Sequence, residues 1–201
     1  RLKTTTIAVY PTLDAATRSL PALFDSQAAT LELMDSRSIA VGRTFDSVPE
    51  QITGFELSGQ AALLIEYHAN EADELREYEA AGAKLLEGFD LQTPAAFTTD
   101  AAEAAKAWAF RKGLYAQVAE ARPSGTTALL EDIAVPVSDL ADTCGGLQQL
   151  FDAYGYDDAV IFGHAKDGNI HFLITDRFEG DDNLNRYDGF NEDMVDLVLG
   201  A

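Results

Sequence analysis

The chain is poor in cysteine, in basic residues and in long apolar runs, and each shortage excludes something. A single cysteine, Cys144, excludes an internal disulfide and any Cys-rich zinc or iron–sulfur site within these 201 residues. Fourteen Lys and Arg stand against 34 Asp and Glu, a formal charge of −20. A sequence-independent grip on nucleic acid needs cations against phosphates, so that class is excluded, and adhesion to anionic lipid is disfavoured for the same reason. The apolar runs are only a few residues long, too short for a transmembrane helix. Neither G-x-G-x-x-G nor G-x-x-x-x-G-K-[ST] occurs, so no nucleotide-phosphate loop is evident. No signal peptide, repeat or low-complexity tract is visible, and a start at Arg1 without Met reads as a piece cut from a longer protein.

What is present is the composition of a globular domain: 47% apolar residues can build a core. Twenty of the acids are Asp and five of the bases are Lys, a bias that resembles the hydrated carboxylate surfaces of salt-loving organisms.

Periodicity predicts strands at Thr4–Tyr10, Thr30–Met34, Ala61–His68, Phe89–Gln92, Thr126–Val135, Asp158–His164 and Asn169–Thr175. Helices are expected over Leu13–Phe24, with Pro21 kinking or shortening it, and over Ser36–Val41. Further helices run from an Asn70 cap to Leu86, from Thr99 or Asp100 to about Val118, from Ser138 to Tyr154 and over Asp182–Leu199. Strand–helix–strand units closed by a hairpin imply one α+β domain over 1–201. The expectation is a largely antiparallel sheet with helices on one face, a duplicated ferredoxin-like layer.

The most informative stretch is Gly163–Phe172, GHAKDGNIHF. Asp-Gly between two apolar runs is a strong hairpin signal, because a two-residue type I′ turn needs positive φ at both positions. With Asp167-Gly168 as the loop, His164 faces His171 across the strands, Phe162 and Leu173 share their face, and Ile161, Ile170, Phe172 and Ile174 form an apolar second face. Two imidazoles so placed can share one divalent metal such as zinc, which wants a third ligand. His68 and Cys144 read as packing residues, Lys112 as solvent-facing, and Ser124–Thr127 as a turn. Glu131 and Asp132 read either as orienting groups or as strand-end acids. Arg111, after an apolar helical stretch, is a fixed cation suited to a substrate carboxylate or to an ion pair.

These residues carry a resemblance. Gly163–His171 resembles the G-H-x-x-x-G-N-x-H signature of the FAD-linked oxidase C-terminal domain, the substrate-side cap of flavoproteins in the vanillyl-alcohol oxidase superfamily. Trp108–Leu114, Gly125–Thr127 and Glu131–Pro136 are similar to the W-x-x-R-K-G, G-T-T and E-D-x-A-x-P blocks of its long members, which add an iron–sulfur domain. Members include D-lactate dehydrogenases, glycolate oxidases and D-2-hydroxyglutarate dehydrogenases.

The resemblance implies an oxidoreductase acting on CH–OH groups that turns a 2-hydroxy acid into the 2-oxo acid, with FAD bound by another domain of the polypeptide and any iron–sulfur cluster by a further one. It implies His164 and His171 as metal ligands and catalytic residues, Arg111 and Asn169 as substrate-binding residues, and a third ligand, a Glu of an E-H-G motif, beyond the last helix. The expected location is cytoplasmic, or peripheral to the inner face of the membrane. The FAD domain, or a second copy in a homodimer, would cover the exposed sheet face. The alternatives are a stand-alone metal-dependent hydrolase and a non-catalytic α+β metal- or ligand-binding interaction module.

Overall fold

The computed structural model describes residues 1–201. The chain runs β1 (Leu2–Tyr10), α1 (Leu13–Arg18), α2 (Leu20–Asp25), β2 (Thr30–Met34), α3 (Ser36–Gly42), α4 (Glu50–Thr53), β3 (Ala61–Ala69) and α5 (Ala72–Leu86). It continues through α6 (Ala101–Glu120), β4 (Thr127–Ala134), α7 (Leu140–Tyr154), β5 (Val160–His164), β6 (Asn169–Asp176) and α8 (Asp181–Leu199). All six strands form one antiparallel sheet in the order β1-β3-β2-β5-β6-β4.

The order resolves into two like halves. In the first, β3 lies between β1 and β2; in the second, β6 lies between β4 and β5. Each half is a helical crossover followed by a strand inserted in the middle, so the duplicated ferredoxin-like layer is what the chain builds. The halves meet where β2 pairs with β5, through only Glu32↔His164, Leu33↔Gly163 and Met34↔Phe162. By contrast β1 and β3 pair from Leu2↔Ala69 to Tyr10↔Ala61.

Alternation puts the two strand faces to different uses. One face carries Ala8, Tyr10, Leu31, Leu33, Leu63, Ile65, Tyr67, Ile161, Ile170, Phe172 and Ile174, packed against α1, α2, α5, α7 and α8. This is the main core and the helical layer expected from sequence. The other face is not bare. Ile7, Val9, Met34, Ala62 and Leu64 pack against Ile39 of α3, Ile52 of α4 and Ala107, Phe110 and Leu114 of α6. One turn further along α6, Val118 meets Val160, Phe162 and Leu173 of the second half. Helix α6 therefore crosses the junction between the halves.

Local chemistry sets most boundaries. Thr12 caps α1 through Ala15 N, Asp35 caps α3 through Ser38 N, and Asp100 caps α6 through the N–H groups of Ala102 and Glu103. Pro21 does more than kink: the helix breaks at Ser19 into α1 and α2, because proline offers no N–H and crowds the preceding turn.

Three expectations need correction. Asn70 is not a cap; Glu71 holds that position, while the Glu74 carboxylate reaches back to the Asn70 N–H. Ser138 lies in a short 3₁₀ turn, Val137–Asp139, and α7 starts after it. Phe89–Gln92 is not a strand. Only the Gln92 N–H reaches β1, at Val9 O, and after Pro94 the chain returns to the edge at Thr98, which exchanges both backbone bonds with Thr5. The segment covers the β1 edge without joining the sheet.

Candidate functional site

All three histidines lie on the sheet face under α6: His68 alternates with Glu66 and Leu64 on β3, and His164 and His171 alternate with Phe162 and Leu173 on β5 and β6. His164 ends β5 and His171 lies in β6. Their register differs from the expected one. The loop has four residues, Ala165–Gly168, with a 3₁₀ turn over Ala165–Asp167 and Gly168 left-handed at φ +69°. His164 therefore pairs with Asn169, and His171 with Phe162. The error is a slip of two, which leaves every side chain on its face. The histidines are diagonal neighbours, and their rings still meet edge to face with centroids 5.1 Å apart.

Each imidazole is backed by a carboxylate. His164 Nδ1 lies 2.7 Å from Glu32 Oε1. His171 Nδ1 lies 3.1 Å from Asp132 Oδ1, off the axis of a good hydrogen bond and otherwise unpartnered. Asp132 is held in turn by the Asn169 amide, whose Nδ2 donates to its Oδ1 at 2.6 Å and to Ile133 O at 3.1 Å. With Nδ1 of both rings facing acids, both Nε2 atoms are left without a protein partner. Burial holds the His171 pKa below the ordinary value; Asp132 opposes this, and the nearby His164 and Arg111 add to it.

Arg111 comes from α6 and is almost wholly buried. Its Nη2 pairs with Glu32 Oε2 at 2.9 Å, and its guanidinium stacks over Phe162, 5.0 Å from the ring centre. Burial lowers its pKa and Glu32 counteracts the shift. Of the two roles open to this residue, the structure shows the ion pair. Arg111, Glu32 and His164 form one line of contacts from helix to sheet to site.

A second buried acid fastens the same helix. Glu66, on β3, accepts hydrogen bonds from Lys3 Nζ, Thr5 Oγ1 and Trp108 Nε1, each at 2.9 Å, and also contacts His68. Trp108 and Arg111 are three residues apart and face the same side of α6. Burial pushes the Glu66 carboxyl up, but the bonds from His68, Lys3, Trp108 and Thr5 outweigh it and bring the pKa from 4.5 down to about 2. A depressed folded-state pKa stabilises the fold above the unfolded value, and the contribution is lost as pH falls. The stability advantage of wild type over Glu66→Gln is therefore expected to be complete above pH 4.5 and to shrink steadily toward pH 2. Urea titrations of both proteins across that range check it; a pH-independent difference would remove the ionised carboxylate as the cause.

The remaining candidates fall into place as structure. Cys144 is fully buried in α7, where burial pushes its thiol up to about 12. Lys112 sits 5.3 Å from the Trp108 ring centre. Glu131 and Asp132 separate: Glu131 accepts from Tyr187 on the far face, and Asp132 belongs to the histidines. Sequence reasoning missed Glu32 and Glu66. Each is the lone acid in an apolar strand, LEL and LIEY, a signal that a buried partner must exist. No group of three or more His, Cys, Asp and Glu is arranged to hold a metal ion. The hydrolase alternative, which needs a third ligand within the chain, has no site here. The two histidines, with free Nε2 edges and acid-backed Nδ1 atoms, fit the role of two ligands awaiting a third.

Comparison with known proteins places the family and the fold. The family model for FAD linked oxidases, C-terminal domain, matches residues 1–201. Glycolate oxidase subunit GlcD of Bacillus subtilis (strain 168) is 28% identical over 187 residues, which cover 92% of this chain and 37% of that protein. Alkyldihydroxyacetonephosphate synthase, in two crystal forms, superposes with TM-scores of 0.63 and 0.65 at 10% and 8% identity, over 98% of this chain and 39% of the other. A 4-ethylphenol oxidase from Gulosibacter chungangensis, in complex with isoeugenol, gives a TM-score of 0.54 at 12% identity, over 93% of this chain and 43% of that one. The structural matches show the fold alone, and the chain spans well under half the length of each of these proteins. The match over its whole length assigns the chain to the FAD-linked oxidase C-terminal domain family.

Proposed function

We propose that this domain forms the substrate side of an FAD-dependent dehydrogenase acting on a small 2-hydroxy acid, with a divalent ion at His164 and His171. The observation that carries the reading is the pair of imidazoles 5.1 Å apart, each with Nδ1 against a carboxylate. A carboxylate behind a histidine fixes the ring and raises the basicity of the outer nitrogen. A divalent ion held by His164 and His171 would supply Lewis acidity toward the substrate hydroxyl, and FAD bound by another domain would supply the hydride acceptor.

The chain's own residues bind and orient. His164 and His171 present Nε2, and Asn169 keeps Asp132 in place behind His171. The family's carboxylate-binding role for Arg111 is proposed here in a modified form. Its Nη2 is committed to Glu32, so it lends positive charge to the site from below. The His164 side chain is 50% exposed, which gives a substrate and the FAD-bearing domain of the same polypeptide room to approach. Any iron–sulfur cluster belongs to another domain, because this chain has one cysteine. The GlcD likeness supports glycolate-like hydroxy acids as the substrate class, and the Asp-rich surface supports a salt-adapted protein.

Zinc titration followed by NMR tests the metal site. Zinc is expected to shift the His164 and His171 ring resonances first and saturably, and His171→Ala is expected to abolish that site. Shifts spread over surface aspartates and unchanged by His171→Ala would sink the reading.

A further inference from the structure

The Glu32 carboxylate lies between two bases, with Oε2 at 2.9 Å from Arg111 Nη2 and Oε1 at 2.7 Å from His164 Nδ1. Its side chain is 6% exposed, so water does not compete for either oxygen. We infer that Glu32 is a positioning residue: held from behind by Arg111, it fixes His164 in the Nδ1–H form and turns Nε2 outward to the ligand. What Nε2 meets rests on the proposed function; the state of the ring does not.

An ionised carboxylate only accepts, so the ring nitrogen beside it must donate. In a neutral imidazole this leaves the lone pair on Nε2, the form a metal or a substrate proton requires. His164 needs such a restraint more than His171 does. It ends a strand and is half exposed, whereas His171 is mostly buried beside Phe162, with ring centroids 5.7 Å apart. Arg111 acts one step back. Its guanidinium, 2.9 Å from Oε2, holds the buried acid in one orientation, and α6 sets its position.

The test uses the 201-residue chain and long-range nitrogen–proton correlation of its imidazoles at about pH 9, well above the usual histidine range. In the wild type, His164 is expected to show a protonated Nδ1 and a bare Nε2. Glu32→Gln should lose this pattern: Arg111 only donates, so the amide oxygen turns to Arg111 and the amide NH2 faces His164 Nδ1, which must then accept. The paired change Glu32→Leu with Arg111→Met leaves no buried charge and so keeps the fold. It should return His164 to the mixture of a free imidazole, rich in Nε2–H, while His171 stays as it was.

Zinc affinity should fall about 10–100-fold in the paired variant and in Glu32→Gln, the usual cost of losing a partner behind a ligand. An unchanged His164 tautomer in the folded paired variant overturns the assignment. If the tautomer follows Glu32 while zinc shifts neither histidine of the wild type, Glu32 keeps its role and the metal reading falls.

Discussion

Gly168→Ala is expected to cost about 3 kcal/mol or more, a large share of a domain's margin of roughly 5–15 kcal/mol. Two effects add. The backbone is left-handed at φ +69°, a conformation that costs a residue with a Cβ about 1–2 kcal/mol. The added Cβ would also fall 1.9 Å from the Val135 carbonyl oxygen, and that segment cannot simply yield, because the Val135 N–H donates to Gly168 O at 3.0 Å. The histidine loop and the end of β4 must part. Gly155 separates the two effects, since it has the same φ with nothing within 4 Å of its Cβ position. Gly155→Ala should lose only the conformational part, about 1 kcal/mol. Urea midpoints of the two variants decide the matter; equal losses would leave the close approach to Val135 without energetic weight.

Arg111→Met carries the second large expected effect, a loss of about 3–5 kcal/mol at neutral pH from breaking one side of a buried ion pair. Methionine keeps an unbranched stem over Phe162, so most of the packing survives. What is lost is the cation opposite the Glu32 carboxylate, with the two side chains only 8% and 6% exposed. Removing the acid as well should restore most of the stability, because two apolar groups of similar size need no partner. The combination with Glu32→Leu is therefore expected within about 1 kcal/mol of wild type. Denaturant unfolding of the single and paired variants measures this directly. Equal losses in both would show that packing, rather than an orphaned charge, holds this spot.

These residues also show what was legible beforehand. Several local signals agree with the structure: a β-branched run made β1, Asp100 started α6, and an Asp-Gly turn closed the hairpin. The hairpin register failed by two because a turn of two or four residues satisfies the same local chemistry. The choice between them is made by the contact of Gly168 with Val135, thirty-odd positions earlier in sequence. The faces survived because side-chain alternation has a period of two. Phe89–Gln92 has strand-like residues, but a single bond, Gln92 N–H to Val9 O, reaches the neighbouring strand. Asn70 lost its cap to Glu71 by one position, within the usual play of a helix end. Glu32 carried a sign of burial in sequence but none of its partner. In sequence it is a polar residue at an alternating position, and its meaning comes from His164, 132 residues away.

That separation has a consequence for how the site comes into being. Within the sheet the two halves join through three residue pairs, and one of them joins Glu32 to His164, while α1 against α7 and a shared core bind the halves on the other face. Each half has strand pairs of its own that do not need this contact, and the Glu32–His164 pair closes a loop of 132 residues. By mass action, a ligand that needs His164 in its held orientation must then favour the docked state over the open one. At a hundred times its dissociation constant it adds about 2.7 kcal/mol to the junction. Filled as proposed, the site would also clasp the halves, and hydrogen exchange of the β2 and β5 amides should slow on ligand binding.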